Sequence, residues 1–277
     1  MGDLGLDTAV EALGEGRFRA TASRDWEIWG PMGGYVAGIA LRAAGADSPF
    51  ARPASFSCHY LGVADFEAVD LAVTTQRQAR TACSQRVTIT QHDRPILSAE
   101  VWSIGDVDGL DHHVAVAPPV PSADTLPPIE ELVGDLPPPF PFWNNVESRP
   151  LDFESQWPPS GPLPPTWRSW ACFRPTATFA DPWVDAIRSV ILMDVQGWPA
   201  AHRHHAWQEP PFIAPSLDLY VAFHEPVPDA EWLLADGDAP IAHDGLIGWT
   251  GRLWSPERRL VASGGGQLLC RRVAAHP

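Results

Sequence analysis

The sequence of 277 residues lacks lysine altogether, so its 19 basic residues are all arginines. Its 34 aspartates and glutamates give a formal net charge of −15. A chain with this excess of negative charge repels the phosphates of nucleic acids, so we expect no nucleic-acid partner. Any anionic ligand would have to be held by a local group of arginines or by backbone N–H groups.

Cysteines and long apolar runs are also scarce. The four cysteines lie far apart and none belongs to a Cys-x-x-Cys pair, which argues against a structural zinc site and favours free thiols. The sequence has no uncharged apolar stretch of about 18 residues, and its first residues lack the basic and apolar regions of a signal peptide. We therefore expect a cytoplasmic protein without a membrane span or a metal site.

Proline is abundant, and its distribution divides the chain. Half of the 30 prolines lie between Pro118 and Pro165. Because proline fixes φ and removes a backbone donor, this stretch cannot form a regular helix or a central strand. We interpret residues 117–167 as a crossover segment between an N-terminal unit, 1–116, and a C-terminal unit, 168–277. Its aromatic residues predict that it packs against the body of the protein, because disordered linkers are poor in aromatics.

The two units show the same order of patterns: a run with helical spacing, then several strand-like runs bounded by turn residues. The predicted helices are YVAGIALRAAGA, after Gly33 and Gly34, and PWVDAIRSVILMDVQG. When the units are aligned, Leu61 pairs with His224 and Ile96 with Leu260, and the two offsets agree to within one residue. This agreement indicates an internal duplication. We predict an α+β fold in which two long helices are each wrapped by an antiparallel sheet, with the two sheets joined edge to edge into one.

Four motifs carry a resemblance to a known family. In chain order they are WGPMGGYVAGIALRAA, SFSCHYLG followed by TACSQRVTITQHDRPILSAEVWS, SLDLYVAFHEP and LVASGGGQLLCRR. Their order and spacing resemble the TesB-type acyl-CoA thioesterases, or thioesterase II, which have a double hotdog fold. The resemblance covers most of the chain outside the Pro-rich segment. It implies hydrolysis of acyl-CoA or a related acyl thioester, assembly into a homo-oligomer, and no cofactor.

The resemblance also implies a catalytic trio: an Asp on the second helix, a Thr or Ser opening the next strand, and a Gln on the last strand. In this sequence these fall on Asp194, Ser216 and Gln267. Asp194 follows four apolar residues near a predicted helix C-terminus, where the helix dipole disfavours an acid. A functional role therefore explains it better than simple solvation does, and we expect it to activate or orient a water molecule.

The other two members of the trio are less distinctive in sequence. Ser216 has an equally good interpretation as an ordinary strand-start serine. If functional, its hydroxyl would hold the attacking water, because no G-x-S-x-G motif marks it as a nucleophile. Gln267 follows three glycines, which predict a close backbone approach or a bulge and leave room for a ligand. The alternative interpretation of Gln267 is an ordinary strand glutamine that faces solvent.

Further residues are predicted to line the substrate site. Gly33 and Gly34 stand at a predicted helix start, where a backbone N–H could polarise a thioester oxygen, although packing alone would also explain them. Asp218 lies two residues after Ser216, so it is expected to face the same side of the strand as an alternative acid. The remaining predicted binding residues are aromatic or small: Trp198, Phe212, Trp249, Gly265 and Gly266.

Some features leave alternatives open. Glu225 stands where the family often has Arg, and the acidic, lysine-free composition gives CoA no independent support, so another acyl carrier is possible. The protein could also bind acyl ligands without turning them over. A hotdog hydratase or dehydratase would need an Asp/His or Glu/His pair that no motif provides. The histidines at positions 202, 204 and 205 are interpreted as a solvated helix end rather than a metal site.

Overall fold

The structure is a computed structural model that describes residues 1–208 and 212–272. Its main feature is a single 12-stranded sheet, with six strands from each half of the chain. The first half provides β1 Glu11–Gly14, β2 Arg17–Thr21, β3 Arg52–Tyr60, β4 Ala68–Gln78, β5 Ala82–Gln91 and β6 Arg94–Ile104. The second half provides β7 Val146–Pro150, β8 Thr166–Phe173, β10 Asp218–Phe223, β11 Trp232–His243, β12 Leu246–Trp254 and β13 Leu260–Leu269.

The order of the strands shows how the halves are joined. It is β1-β2-β4-β5-β6-β3-β10-β13-β12-β11-β8-β7, and every neighbouring pair is antiparallel. The halves therefore meet at β3 and β10, where Cys58 lies opposite Leu219. The prediction of two antiparallel sheets joined into one, a double hotdog fold, is confirmed. Two short strands, β9 Phe212–Ile213 and β14 Arg271–Arg272, form a separate pair.

Five α-helices accompany the strands in the described residues. They are α1 Leu4–Asp7, α2 Gly33–Asp47, α3 Ile129–Val133, α4 Pro182–Asp194 and α5 Gly197–His205. The short 3-10 turns are Arg24–Trp26, Ala123–Thr125, Pro141–Asn144 and Ala206–Gln208. The second predicted helix ends at Asp194, and the chain then starts the separate helix α5, which the sequence patterns did not predict.

The two long helices, α2 and α4, pack against each other. A Cβ placed on Gly34 would lie 2.9 Å from the Cα of Ile191, and one on Gly38 would lie 2.5 Å from Cγ2 of Ile187. Rising residue numbers on α2 therefore meet falling numbers on α4, so the helices are antiparallel. Any larger residue at these positions would push the helices apart. This brings the start of α2 to the end of α4.

Local interactions fix the start of α4. The side chain of Asp181 caps it by accepting a hydrogen bond from the Trp183 N–H at 2.9 Å. Arg188 is fully buried, and its two terminal nitrogens pair with Asp185 and donate to backbone carbonyls of the surrounding loops, while its Nε has no partner. These contacts hold α4 in register with the loops before and after it.

One hydrophobic core includes residues of both halves. Trp26 stacks on Tyr35 at a centroid distance of 5.2 Å, and Phe142 meets it edge to face at 6.1 Å. Phe142 comes from the Pro-rich segment and is fully buried. A smaller cluster with Trp170 and Trp254 lies on the opposite face of the sheet, covered by the same segment. The prediction that this segment packs on the body of the protein is thus confirmed.

The Pro-rich segment also contains a strand. β7 lies within residues 117–167 and pairs only with β8, at the edge of the sheet. An edge is where a strand that ends in proline is tolerated, because one side needs no backbone donor. The division of the chain at residues 116 and 167 stays a prediction.

All four cysteines are free, and Cys58 and Cys83 are buried. None of the helices within residues 1–208 and 212–272 combines the length and the hydropathy that crossing a membrane requires.

Candidate active site

The carboxyl group of Asp194 lies where the two long helices meet. Asp194 is the last residue of α4 and is 9% exposed. Its Oδ2 accepts a hydrogen bond from the backbone N–H of Gly34 at 2.7 Å. The first N–H groups of a helix have no partner within the helix and carry partial positive charge, so they attract a carboxylate. A Cβ on Gly33 would lie 2.8 Å from Oδ2, so the two glycines make room for this approach.

Ser216 lies against the other carboxylate oxygen. Its Oγ donates a hydrogen bond to Oδ1 of Asp194 at 2.8 Å. The segment before β10 is held beside the last long strand, because Leu217 donates to the Gln267 carbonyl at 2.8 Å and Leu269 donates to the Pro215 carbonyl at 3.0 Å. Sheet formation therefore places the Ser216 hydroxyl at the end of α4, beside Asp194.

Burial dominates the acidity of Asp194. Desolvation raises the pKa of its carboxyl above the usual range for an aspartate, while hydrogen bonds from Ser216, Gly34 and Tyr60 act in the opposite direction. The Tyr60 contribution comes from its hydroxyl, which is 3.4 Å from Oδ1. The net result is a buried carboxyl that binds a proton more readily than an exposed one does.

Asp194 and Ser216 line a cavity of about 650 Å³. Among the described residues, the polar or charged side chains that line it are Tyr60, Asp194, His202, Ser216 and Arg271. The apolar walls include Ile28, Trp29, Met32, Val36, Leu61, Ile96, Phe140, Trp143, Trp198, Leu217 and Leu268. An apolar cavity with a few converging polar groups is the usual form of a small-molecule site.

Aromatic rings form one wall of the cavity. Trp29 meets Trp198 edge to face at 6.2 Å and Phe140 at 6.5 Å, and Trp198 stacks on His202 at 5.1 Å. The predicted contribution of Trp198 to the lining is therefore present in the structure, as is that of Gly33. His202 lies in the last turn of α5, as expected, but its ring is partly buried against Trp198, and this burial lowers the pKa of its imidazole.

Gln267 does not join Asp194 and Ser216. Its side chain is exposed, and it is not among the described residues that line the cavity. Its backbone N–H donates to Oδ1 of Asp218 at 3.0 Å. Asp218 itself lies in a depression on the other side of the sheet with His59 and Glu100. The expectation that it faces the same side as Ser216 is wrong, because β10 begins only at Asp218 and strand alternation does not extend back to Ser216.

The remaining predicted binding residues serve packing. Trp249 is buried against α5, where a Cβ on Gly197 would lie 2.8 Å from its indole ring. Phe212 lies under the guanidinium of Arg272, at 5.3 Å from the ring centroid. Neither is among the described residues that line the cavity.

The three glycines before Gln267 have a backbone explanation. A Cβ on each would collide with a carbonyl oxygen of a neighbouring strand, namely those of Tyr220, Trp249 and Asp218 for Gly264, Gly265 and Gly266. The predicted close backbone approach is confirmed. Gly265 and Gly266 do not line the cavity formed by the described residues, so they leave no room there for a ligand.

Several residues of the site were missed from the sequence. Tyr60 ends a strand of the first half, Phe140 and Trp143 belong to the Pro-rich segment, and Arg271 follows the last long strand. All come from parts of the chain that were given no chemical role. The only sequence signal was the aromatic content of the Pro-rich segment, which predicted packing but not a cavity wall.

Within the part of the chain that the structure describes, no group of three or more His, Cys, Asp or Glu side chains could hold a metal ion. The groups of the site that can take part in chemistry include the Asp194 carboxyl, the Ser216 hydroxyl and backbone N–H groups at the start of α2.

Comparison with known proteins supports the family resemblance. Residues 22–104 match the acyl-CoA thioesterase N-terminal domain, and residues 117–268 match the acyl-CoA thioesterase C-terminal domain. None of the curated proteins matches the sequence.

Solved structures with the same fold differ widely from this chain in sequence. The acyl-CoA thioesterase II TesB2 of Mycobacterium marinum is 21% identical, with a TM-score of 0.80 over 99% of this chain and 100% of that one. The tesB protein of Mycobacterium avium subs paratuberculosis is 20% identical, with a TM-score of 0.79 over 97% and 98%. A conserved hot dog fold protein of unknown function from Alicyclobacillus acidocaldarius is 18% identical, with a TM-score of 0.81 over 98% of both chains.

The structural likeness establishes the double hotdog fold, and the sequence matches establish the family. The two matched domains follow each other in the order expected for that family and together include both long helices and Asp194, Ser216 and Gln267. The resemblance inferred from the motifs is confirmed. This chain belongs to the acyl-CoA thioesterase family, whose members are thioester hydrolases.

Proposed function

We propose that this protein hydrolyses acyl-CoA thioesters with Asp194 as the general base. One observation carries the proposal: a buried carboxyl with a raised pKa lines a mostly apolar cavity and accepts a hydrogen bond from a hydroxyl. A base whose pKa is raised accepts a proton from water more readily in the transition state. The apolar cavity offers a place for an acyl chain beside that base.

The proposed reaction adds water across the thioester. Asp194 takes a proton from a water molecule as its oxygen forms a bond to the carbonyl carbon, which gives a tetrahedral intermediate with a negative oxygen. The intermediate then re-forms the carbonyl and breaks the carbon–sulfur bond, and the protonated Asp194 returns a proton to the leaving thiolate. The products are the free acid and the thiol. Ser216, bonded to Oδ1, is placed to hold the water in line.

The negative oxygen of the intermediate needs a hydrogen-bond donor. The Gly34 N–H is occupied by Asp194, whereas Gly33, the first residue of α2, lines the cavity. We assign this role to the Gly33 N–H, because it lies at the positive end of a 15-residue helix. Gln267 has no part in the proposal, since its side chain is exposed away from Asp194.

The carrier of the acyl group would lie near the cationic part of the lining. Arg271 is exposed at the cavity and is its only arginine among the described residues. Guanidinium groups bind phosphate through several N–H donors, so Arg271 is suited to a phosphate of CoA. The acyl chain would extend along the opposite, aromatic wall around Trp198.

The proposal is tested by thiol release from octanoyl-CoA and palmitoyl-CoA. The wild type is expected to release thiol, and Asp194→Asn, which keeps the shape but removes the base, is expected to lose the activity. The matched control is Asp236→Asn, because Asp236 is another partly buried carboxyl whose pKa burial raises, and it lies outside the cavity lining. Equal activity of all three proteins would refute the role of Asp194.

The same assay separates the alternatives. Binding of acyl-CoA by the wild type without thiol release would favour a non-catalytic acyl-binding protein. A hydratase would leave both saturated substrates unchanged, whereas conversion of a 2-enoyl-CoA to a 3-hydroxyacyl-CoA with its thioester intact would favour that class. The expected homo-oligomer stays a prediction that size-exclusion chromatography with light scattering can decide.

A further inference from the structure

We propose that Tyr60 is a positioning residue of the active site: its hydroxyl, contributed by the first half of the chain, holds Oδ1 of Asp194 together with Ser216. The proposal rests on the hydrolysis described above. It begins from three observations: Tyr60 lines the cavity, its hydroxyl is 3.4 Å from Oδ1, and the predicted third side chain, Gln267, is directed elsewhere.

The backbone fixes Tyr60 relative to Ser216. Tyr60 is the last residue of β3, the strand that joins the first half of the sheet to β10. Its N–H donates to the carbonyl of Leu217 at 2.9 Å, one residue after Ser216. The two hydroxyls that reach Oδ1 are thus attached to neighbouring, hydrogen-bonded pieces of backbone, so their separation is set by the sheet.

The tyrosine ring lies against the start of α2. A Cβ on Gly33 would lie 3.3 Å from Cε1 and Cζ of Tyr60 as well as 2.8 Å from Oδ2 of Asp194. The ring therefore packs against the first residue of α2, and its hydroxyl is directed at the Asp194 carboxylate. At 3.4 Å the contact is long for a hydrogen bond, and such contacts often tighten when substrate binds.

The charges around Tyr60 make it a donor rather than a base. Burial and the negative charge of Asp194 raise the pKa of the Tyr60 phenol well above its ordinary value, so the hydroxyl keeps its proton. Burial and the same charge also raise the pKa of the Cys58 thiol beside it. Of the other groups that line the cavity, His202 and Arg271 are titratable or charged. Asp194 is then the only anion in the lining formed by the described residues.

Two donors on one oxygen have a defined effect. Ser216 and Tyr60 both direct their hydrogens at Oδ1, while Oδ2 is held by Gly34. The carboxylate is thereby fixed in rotation and favoured in its charged form. Removing the Tyr60 hydroxyl should leave a carboxylate that can rotate away from the water, which lowers the rate without weakening substrate binding. It should also make the carboxyl less acidic.

The experiment compares Tyr60→Phe with Tyr220→Phe, which deletes the same atom from an exposed tyrosine on the other face of the sheet. For Tyr60→Phe we expect kcat to fall by roughly tenfold, the usual effect of losing one bond to a charged group, with KM changed less than about twofold. The acid limb of the pH profile of kcat/KM should move to higher pH, because a carboxylate that loses a donor becomes more basic. Tyr220→Phe should match the wild type.

The outcomes separate this inference from the proposed function. If the wild type releases thiol and Tyr60→Phe behaves like Tyr220→Phe in kcat and pH profile, the inference is overturned while the hydrolysis stands. If the wild type releases none, the hydrolysis fails, and ¹³C NMR titration of the Asp194 carboxyl, assigned with Asp194→Asn, decides the inference instead. A higher Asp194 pKa in Tyr60→Phe supports it, and an unchanged pKa overturns it.

Discussion

The substitution Asp194→Asn is expected to remove activity and at the same time stabilise the fold at neutral pH. Asparagine keeps an acceptor oxygen for the Gly34 N–H, which now bonds Oδ2 at 2.7 Å, so the start of α2 stays capped. What disappears is a buried negative charge. Because the net effect of the folded environment is to raise the pKa of Asp194, that charge destabilises the folded state despite its three donors.

The direction of the pH dependence follows from this raised pKa. In the unfolded chain an aspartate titrates near pH 3.9. Below that pH the carboxyl is protonated in both states, so wild type and Asp194→Asn should be similarly stable. As the pH rises from there through the higher pKa of the folded state, the wild type loses stability relative to the variant. Each unit of raised pKa corresponds to about 1.4 kcal/mol of unfolding free energy.

Loss of activity has a separate magnitude. A positioned general base contributes about 10²-fold to 10⁴-fold, which is roughly 3 to 5 kcal/mol of transition-state stabilisation. Urea unfolding of both proteins near pH 4 and near pH 8 measures the stability change, and thiol release measures the rate. If the variant is less stable than the wild type by the same amount at both pH values, the carboxylate acts mainly as a helix cap and the reasoning is wrong.

Three further predictions concern the neighbours of Asp194. Ser216→Ala should lower kcat roughly tenfold, because Oδ1 of Asp194 loses its closer hydrogen-bond donor. Ser216→Thr keeps the hydroxyl and should retain most of the activity. Steady-state kinetics measure both variants, and an equal loss in both would indicate that Ser216 matters for packing only. Gln267→Ala should change kcat/KM less than about twofold, since the side chain is exposed. A loss as large as that of Asp194→Asn would show that Gln267 acts in catalysis after all. Arg271→Gln should raise KM for octanoyl-CoA, and the increase should be larger at low salt. The KM for the octanoyl thioester of pantetheine, which lacks phosphate, should not change. An equal effect on both substrates would contradict a phosphate contact.

The candidate site was only partly predictable because its members lie far apart in sequence. Asp194 could be recognised locally, as an acid at the end of an apolar helix, where a simple surface role is unfavourable. The role of Gln267 could not be recognised from its local sequence. The direction of its side chain depends on the register of β13 against its neighbours and on the close approach of three glycines to the adjacent strands. The prediction that Asp218 faces the same side as Ser216 was wrong for a similar reason. Side chains alternate between the two faces only within a strand, and β10 starts after Ser216.

Tyr60 shows what a sequence pattern leaves undetermined. Its strand was predicted, and its motif carried part of the family resemblance, yet no local rule places a residue of the first half beside an aspartate 134 positions later. That contact exists because β3 pairs with β10 and because glycines let α2 approach α4 closely. Likewise, aromatic residues of the Pro-rich segment were expected to pack, but their role as walls of the cavity depends on how the segment crosses the core.

The sequence by itself determined the two long helices, most of the long strands, the duplication, the family and the identity of the buried acid. These are set by local periodicity, by turn residues and by the order of motifs, all of which are properties of neighbouring residues. The tertiary structure alone decided which side chains meet Asp194 and which face the cavity. Strand register, the antiparallel contact of α2 with α4 and the close packing at glycines act between distant parts of the chain. Contacts between such distant parts of the chain cannot be inferred from local sequence patterns.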